Sequence, residues 1–186
     1  MTVRMKQNLF SIGHSTRSLE EMINLLKENK IKRLVDIRSV PMSRYNPQFN
    51  IDTLPLELSK RGLKFSYLGT SLGGWKKSQN FLEVNSAWKK KSFRGYADYM
   101  QTRRFELGIK KLLGLSEKGN LAFMCAEAVP WRCHRWLVSD ALIARGLRVI
   151  HIGVGKKGYY HELTAFGKIR DGKVVYRGKS QVAVGE

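Results

Sequence analysis

The sequence predicts an α/β fold, with a mainly parallel sheet, helices on both faces of that sheet and a C-terminal β-hairpin. Short apolar stretches alternate with stretches whose apolar residues recur at helical spacing. Polar residues follow several of the apolar stretches, and an Asp-Gly pair separates two apolar runs near the end of the chain. Strands that alternate with helices form a parallel sheet, and Asp-Gly between apolar residues indicates a hairpin turn.

The elements can be placed along the chain by their apolar pattern and end signals. Ser18 is positioned to cap the first helix, with Glu21 three residues later as in a capping box. Gly62 ends the second helix. The first half of the chain supplies strands over 8–12, 33–37 and 64–68 and helices over 19–29 and 52–61. The second half supplies helices over 95–117 and 131–145, strands over 121–126 and 148–152, and a hairpin within 169–176 that turns at Asp171-Gly172.

The composition is that of an ordinary globular protein, with 186 residues, 42% hydrophobic and 26% charged. We expect a single domain over 1–186, with a core over about 8–152 and an extension over 153–186. Because there is no apolar run long enough to cross a bilayer and no signal peptide, we expect a cytoplasmic protein without membrane contact. Two cysteines are too few for a disulfide framework.

Basic residues far outnumber acidic ones. The chain has 34 Lys and Arg and 15 Asp and Glu, which gives a net charge of +19 and a pI near 10.2. The excess is spread along the chain rather than confined to a tail. A folded domain with this charge repels itself unless it binds a polyanion, and nucleic acid is the leading polyanion. The alternative is a solvated basic surface without a special purpose.

The segment SIGHSTR leads from the first strand into the first helix. Gly13 permits a tight turn, and the following amides could hold a phosphate or carboxylate beside His14, Ser15 and Arg17. The glycine spacing does not match a nucleotide-binding P-loop. The alternative is a helix cap with His14 hydrogen-bonded in the turn.

The segment VDIRSVPMSRYNPQF places charge at the end of the second strand. Asp36 lies in an apolar strand, where an unpaired charge is costly, so we expect Arg38 or His14 to pair with it. The alternative to a functional site is a structural Asp–Arg pair under an ordinary loop. Three loop residues suit phosphate contact or base stacking, namely Ser43, Arg44 and Tyr45.

Two glycine-rich or aromatic segments follow the third strand. YLGTSLGG, which begins at Tyr67, could bring backbone amides close to a ligand or could form a plain turn. Next, aromatic residues alternate with cations, as single-stranded nucleic acid requires, although the aromatics could equally pack the inner face of a lid helix. The predicted nucleic-acid contacts are Trp75, Lys76, Lys77, Trp88, Lys89, Lys90, Lys91 and Arg94.

Both cysteines lie in the segment FMCAEAVPWRCHRW. Cys125, Cys133 and His134 could supply three metal ligands, but there is no second Cys or His pair to complete a structural site, so we expect no metal. If Cys133 falls in the first helical turn, its pKa is lowered and it becomes a nucleophile, while Cys125 is a small core residue. Alternatively, Glu127, His134 and Arg135 form an anion site without thiol chemistry.

Four segments together resemble the successive motifs of the domain of unknown function family 488: GHSTRSLEEM (13–22), LVDIRSVPMSRYNPQFN (34–50), YLGTSLGG (67–74) and MCAEAVPWRCHRWLVSDAL (124–142). One departure is the bulk at Trp131, where the family often has a small polar or acidic residue. The resemblance implies an α/β domain with an active-site-like cluster, but it implies no reaction. That cluster would comprise His14, Ser15, Asp36, Arg38, Ser43, Arg44, Cys125, Glu127, Cys133, His134 and Arg135.

These patterns favour an enzyme that acts on nucleic acid, with DNA as the leading partner, no cofactor and no metal. We expect a hydrolase or lyase of the DNA-repair type, such as a base-removing glycosylase. Asp36 or Glu127 would activate water or stabilise a sugar cation, and His14 or His134 would transfer a proton. Phosphates would be held by Arg38, Arg44 and Arg135, and an extruded base by Tyr45 or Tyr67. The alternatives are a sulfurtransferase- or phosphatase-type enzyme that uses Cys133 and a non-catalytic nucleic-acid-binding module.

Overall fold

A computed structural model describes residues 8–76, 81–155 and 158–178. The strands within these ranges are β1 (Asn8–Gly13), β2 (Arg33–Asp36), β3 (Lys64–Tyr67), β4 (Leu121–Cys125), β5 (Arg148–His151), β6 (Tyr159–Tyr160), β7 (Lys168–Arg170) and β8 (Lys173–Val175). The helices are α1 (Leu19–Glu28), α2 (Leu54–Lys60), α3 (Gly69–Leu72), α4 (Lys91–Tyr99), α5 (Arg103–Ser116) and α6 (Arg135–Ile143).

Six strands form one sheet in the order β3-β2-β4-β1-β5-β6. The first five strands in this order are parallel, and β6 is antiparallel to β5. Strands β7 and β8 form a separate antiparallel hairpin. The predicted fold class is therefore confirmed, and the carboxyl ends of β1, β2 and β4 lie side by side at one edge of the sheet.

Apolar residues on the strands alternate between the two faces of the sheet. Leu34 packs on one face with the apolar residues of α1 and α2, and its neighbour Val35 packs on the other with those of α4, α5 and α6. This alternation follows from the two-residue period of a strand. Helices cover both faces, so the central strands β1, β2 and β4 are almost entirely buried, and their ends are the parts nearest to a ligand.

The helix ends explain where the sequence prediction was right and where it was wrong. The capping box between Ser18 and Glu21 is present at the start of α1. The long helix predicted over 95–117 is two helices, because the Thr102 side chain accepts the Phe105 N–H and starts a new helix there. In the described part of the chain, no helix combines the length and the apolar character needed to cross a bilayer.

The C-terminal extension joins the core of the protein. Asp171 and Gly172 have φ values of 48° and 70°, as a two-residue hairpin turn of this type requires, so the predicted hairpin is confirmed. Val174 and Tyr176 are buried in the same apolar cluster as α5 and α6. The extension is therefore built into the hydrophobic core.

Candidate functional site

A cavity of about 370 Å³ opens at the carboxyl-terminal edge of the sheet, beside the ends of β2 and β4. Phe93 and Tyr96 of α4 and Leu137 of α6 supply apolar lining. Open parallel sheets bind their ligands at this edge. The cavity is also large enough for a small ligand, since such sites usually measure about 300–1,000 Å³.

Cys125, Cys133 and His134 meet at this cavity and form what we term the Cys-Cys-His cluster. Nδ1 of His134 lies 3.8 Å from the Cys125 sulfur and 3.6 Å from the Cys133 sulfur. Nε2 of His134 lies 3.1 Å from the Ile37 carbonyl oxygen. A carbonyl can only accept, so Nε2 carries a proton, and Nδ1 is the ring nitrogen that faces the two sulfur atoms.

The position of Cys133 differs from the prediction. A short 3₁₀ turn over Pro130–Arg132 precedes it, and Cys133 itself is extended, with φ −128° and ψ 149°. It therefore lies before α6 rather than in its first turn, although its sulfur still accepts the Arg135 N–H at 3.5 Å. Cys125 also differs from the prediction, because it lines the cavity instead of acting only as a core residue.

The two free thiols have opposite electrostatic environments. A hydrogen bond with Cys133, together with burial, raises the pKa of Cys125 well above its usual value. Burial by itself raises the pKa of Cys133, but the hydrogen bond from Cys125 and the charge and hydrogen bond of His134 outweigh it. The net result is a Cys133 pKa well below the usual value of a thiol. The pair therefore favours one negative charge, located on Cys133.

Charged and aromatic side chains surround the cavity. Arg38, Lys90 and Arg132 bring positive charge to its lining. Glu127 lines the cavity and is exposed, so its carboxylate is accessible to a ligand. Trp75 also lines the cavity and is 81% exposed, which leaves most of its ring free to contact a ligand.

Asp36 is a buried partner of Arg38 and does not line the cavity. Three guanidinium contacts of 2.6 to 3.1 Å join the two side chains, and Arg38 also donates to the Phe49 carbonyl. His14 stacks on Phe49 and accepts from Arg38, and burial lowers the pKa of His14 to about 4. The predicted pairing is present, and the burial of Asp36 argues against its expected role in catalysis, whereas His14 lines a neighbouring cavity that Glu127 also lines.

The turn in SIGHSTR connects the strand ends to each other. The backbone N–H groups of His14 and Ser15 donate to the carbonyls of Cys125 and Ala126, so these amides are not free to hold a phosphate. Arg17 donates to the carbonyls of Gly13 and Gly153. The turn therefore holds the loop after β4 in place. His14, Ser15 and Thr16 also line a second cavity of about 310 Å³, together with Arg38, Ser43 and Glu127, so the predicted anion site beside this turn stays a prediction.

Arg135 is also a structural residue. Its guanidinium is fully buried, donates to the Ser11 hydroxyl and the Glu127 carbonyl, and does not line the cavity. The prediction that Arg135 holds a substrate anion is therefore wrong. Its buried hydrogen bonds instead fix the loop that carries Glu127.

The loop after β2 directs its predicted binding residues away from this cavity. Arg44 and Tyr45 are exposed, and Ser43 accepts the Asn46 N–H. Tyr67 donates to the Arg38 carbonyl and so supports the loop backbone, and it does not line the cavity. Tyr45 and Tyr67 therefore do not line this cavity as a base pocket would require, and Ser43 and Arg44 line a separate cavity.

The basic aromatic segment divides into core and surface residues. Trp88 is half-buried and packs edge-on against Phe166 and Tyr176 at the margin of the core, so packing accounts for part of its ring and its contact with nucleic acid stays a prediction. The remaining predicted contacts have different surroundings. Lys77 lies outside the described residues, Lys89 and Lys91 are exposed, and the cations of Lys76, Lys90 and Arg94 lie over the rings of Tyr99, Phe93 and Phe81.

The glycines of YLGTSLGG permit close packing around the site. A Cβ atom at Gly69 would lie 1.9 Å from the Arg38 carbonyl oxygen, and one at Gly74 would lie 2.4 Å from Nδ1 of His134. Neither contact is possible, so a side chain at either position would displace the site. The glycines in the sequence indicated that the backbone comes close to another group, and a ligand was the expected group. The structure shows that the groups are Arg38 and His134 of the protein itself.

A second polar cluster, which sequence analysis missed, lies between α6 and the C-terminal extension. Asp140 accepts hydrogen bonds from His161, Tyr176 and both the amide and the hydroxyl of Thr164. His161 in turn contacts His151 at 3.0 Å. We term these residues the Asp140 network, and their pattern could not be read from the sequence because they come from separate segments.

Comparison with known proteins agrees with the resemblance in the sequence. The model of the family described as "Domain of unknown function DUF488" matches residues 18–142, which include β2, β4 and the whole Cys-Cys-His cluster. His14 and the C-terminal extension lie outside the matched range. A search of curated proteins and a search of solved structures each found no match. Since the family model matches most of the chain, the protein belongs to the DUF488 family.

Proposed function

We propose that this protein is an enzyme that acts on nucleic acid, with hydrolytic removal of a damaged base from DNA as the reaction. One observation carries the proposal: a single cavity is lined by reactive side chains and by cations. Cys133, His134 and Glu127 can take part in chemistry, while the exposed Lys90 and Arg132 suit phosphate contact. The net charge of +19 supports a polyanionic substrate. The two cysteines are free thiols, which suits a reducing compartment, and we take this compartment to be the cytoplasm.

In this proposal each part of the cavity has one task. Lys90 and Arg132 hold phosphates at the entrance, and the exposed ring of Trp75 stacks on an unpaired base. The extruded base enters the apolar part of the cavity beside Phe93. Glu127, rather than Asp36, exchanges a proton with water or with the leaving base because it is the carboxylate that lines the cavity.

The test is a screen for binding and cleavage of labelled oligonucleotides. Single- and double-stranded DNA, with and without damaged bases, and RNA are incubated with the full chain at several salt concentrations. We expect salt-dependent binding to DNA and product from at least one damaged substrate. Binding without product from any substrate would leave a nucleic-acid-binding module and contradict the enzyme, and the absence of both would contradict the whole proposal.

A matched pair of variants locates the binding surface. The double variant Lys90→Ala, Arg132→Ala removes two positive charges from the cavity, whereas Lys110→Ala, Lys111→Ala removes two exposed charges from α5. For single-stranded DNA, the slope of the logarithm of the binding constant against the logarithm of the salt concentration should become shallower by about 0.7 for each phosphate that the cavity variant no longer neutralises. An equal effect of both variants would show that binding depends on total charge rather than on this cavity.

A further inference from the structure

The Cys-Cys-His cluster has the dimensions of a metal site. The three donor atoms lie within 4.8 Å of one another, and Nδ1 of His134 is 3.6 and 3.8 Å from the two sulfurs. For tetrahedral zinc with Zn–S of about 2.3 Å and Zn–N of about 2.0–2.1 Å, N···S is about 3.6 Å and S···S about 3.8 Å. The observed N···S separations of the cluster already match a shared ion.

The second nitrogen of His134 is held as in a metal-ligating histidine. Such histidines donate their other ring N–H to a carbonyl or carboxylate, which fixes the tautomer and the ring orientation. His134 makes this contact with the Ile37 carbonyl at 3.1 Å, directly after β2. The contact is independent of the cysteines, and it prepares Nδ1 to coordinate.

Backbone groups pack closely around the cluster and support one of the sulfur ligands. Gly74 lies beside Nδ1 of His134, where a Cβ atom would come within 2.4 Å of that nitrogen. The Arg135 N–H points to the Cys133 sulfur at 3.5 Å and would stabilise a coordinated thiolate. Glycine at 74 therefore lets its backbone approach the His134 ring without a clash.

We propose that Cys125, Cys133 and His134 bind one zinc ion whose fourth coordination position faces the cavity. Two thiolates and an imidazole suit zinc, whereas Mg²⁺ and Ca²⁺ prefer oxygen ligands. We expected no metal from the sequence because a structural zinc site needs four protein ligands. A catalytic zinc site needs only three, because water or substrate takes the fourth position.

The bound ion would activate the water that the proposed reaction consumes. This role in the reaction rests on the proposed function. Zinc lowers the pKa of a bound water to about 7 and so supplies hydroxide at neutral pH. Glu127 lines the same cavity and would accept the proton of that water. The inference that zinc binds depends on the cluster geometry and not on the identity of the substrate.

The experiment measures metal binding directly. The full chain is stripped with a chelator, reloaded with Zn²⁺, freed of excess ion and assayed by mass spectrometry for about one zinc per chain. Co²⁺ in place of zinc should give sulfur-to-cobalt charge transfer and the intense visible bands of a tetrahedral site. The cobalt measurement needs no variant, so it does not depend on whether a substituted chain folds.

Variants then identify the ligands. Cys125→Ser, Cys133→Ser and His134→Gln should each weaken zinc binding by more than about 100-fold, the upper end of the effect of removing a residue that only supports a ligand. Glu127→Gln, at the same cavity, should keep its zinc. Failure of the wild-type chain to retain zinc, or retention by the double variant Cys125→Ser, Cys133→Ser, would overturn the inference.

The two proposals fail separately. Zinc bound by the cluster without turnover of any nucleic acid would leave the metal site standing and overturn the proposed function. Turnover of nucleic acid by a wild-type chain that retains no zinc would do the reverse. Undiminished turnover by a folded, zinc-free double cysteine variant would leave both the proposed function and the metal site standing, and it would remove zinc from the reaction.

Discussion

Helix α6 borders two polar clusters that differ in how completely the protein satisfies them. At one, the Asp140 carboxylate is fully buried and accepts four hydrogen bonds, from His161, Tyr176 and two groups of Thr164. At the other, just before the first residue of the helix, the Cys-Cys-His cluster lines an open cavity. Both contain histidine and acidic or thiol groups, so residue type alone does not distinguish them.

The two clusters differ in whether their donor and acceptor atoms are already used within the protein or still face a cavity. In the Asp140 network the donors and acceptors are used to attach the C-terminal extension to the core, which is a structural task. In the Cys-Cys-His cluster the sulfurs and Nδ1 of His134 share one small volume at the cavity, so a ligand can still be bound there. A buried polar group that is fully paired stabilises the fold, and one that faces a cavity can act on a ligand.

The largest expected effect is on stability, at Asp140. Asp140→Ala leaves the buried donors of His161, Thr164 and Tyr176 without their acceptor, and we expect a loss of about 3–5 kcal/mol in the free energy of unfolding. Urea denaturation followed by circular dichroism measures the loss. Glu162→Ala, at an exposed position, is the control and should be near neutral. A change below about 1 kcal/mol at Asp140, the size of a single ordinary hydrogen bond, would mean that the network is not structural.

The pH dependence of stability should also come from the Asp140 network. Burial, with the nearby charges of His161 and Arg135, lowers the pKa of His151 to about 3. Because the unfolded chain binds this proton at an ordinary pKa of about 6.5, stability contributed by the neutral form is present above pH 6.5 and is lost as pH falls toward 3.

Between pH 7 and pH 4, His151 should therefore remove about 3 kcal/mol from the free energy of unfolding. Denaturation at both pH values, in wild type and in His151→Gln, measures this contribution. The variant should show the smaller pH dependence. Equal pH dependence in the two proteins would assign the acid sensitivity to other groups.

At the open cavity, substitution should affect turnover and not stability. Glu127→Gln keeps the shape of an exposed side chain but removes its ability to exchange a proton, and we expect turnover to fall by about 100-fold or more. Steady-state kinetics on the substrate found in the screen measure the effect, with Glu162→Gln as the control. Full activity of Glu127→Gln would remove this carboxylate from the reaction.

The smallest expected effects concern two tryptophans, one exposed and one half-buried. Trp75→Ala should weaken binding of single-stranded DNA by about 1–3 kcal/mol through loss of stacking and leave stability unchanged. Trp88→Ala should instead lower stability, because its half-buried ring packs against Phe166 and Tyr176 at the margin of the core. Fluorescence anisotropy and thermal unfolding measure the two effects. If Trp75→Ala binds as tightly as wild type, the exposed ring has no part in strand recognition.

Local patterns predicted most of the fold. The capping box at Ser18 and the turn at Asp171-Gly172 act over three or four residues, so the sequence shows them directly. The break between α4 and α5 was missed because Thr102 can lie within a helix or cap one, and packing decided between the two.

The site was predicted in its composition but not in its arrangement. The sequence identified Cys133, His134 and Glu127, which do line the cavity. It misplaced Asp36 and Arg135 because a charged residue at a strand or helix end can face a ligand or the interior, and only the tertiary neighbours decide. The Asp140 network was missed for the same reason, because its residues meet only through the tertiary structure.

The central claim is that nucleic acid occupies the cavity that the Cys-Cys-His cluster lines. The chain has two cysteines, and both belong to the cluster, so thiol reactivity reports on this cavity alone. The direct measurement is the rate at which a neutral thiol reagent modifies the metal-free protein with and without a saturating single-stranded oligonucleotide. We predict that the bound strand slows modification severalfold. An unchanged rate, with binding verified by anisotropy in the same sample, would contradict the account by placing the nucleic acid elsewhere on the protein.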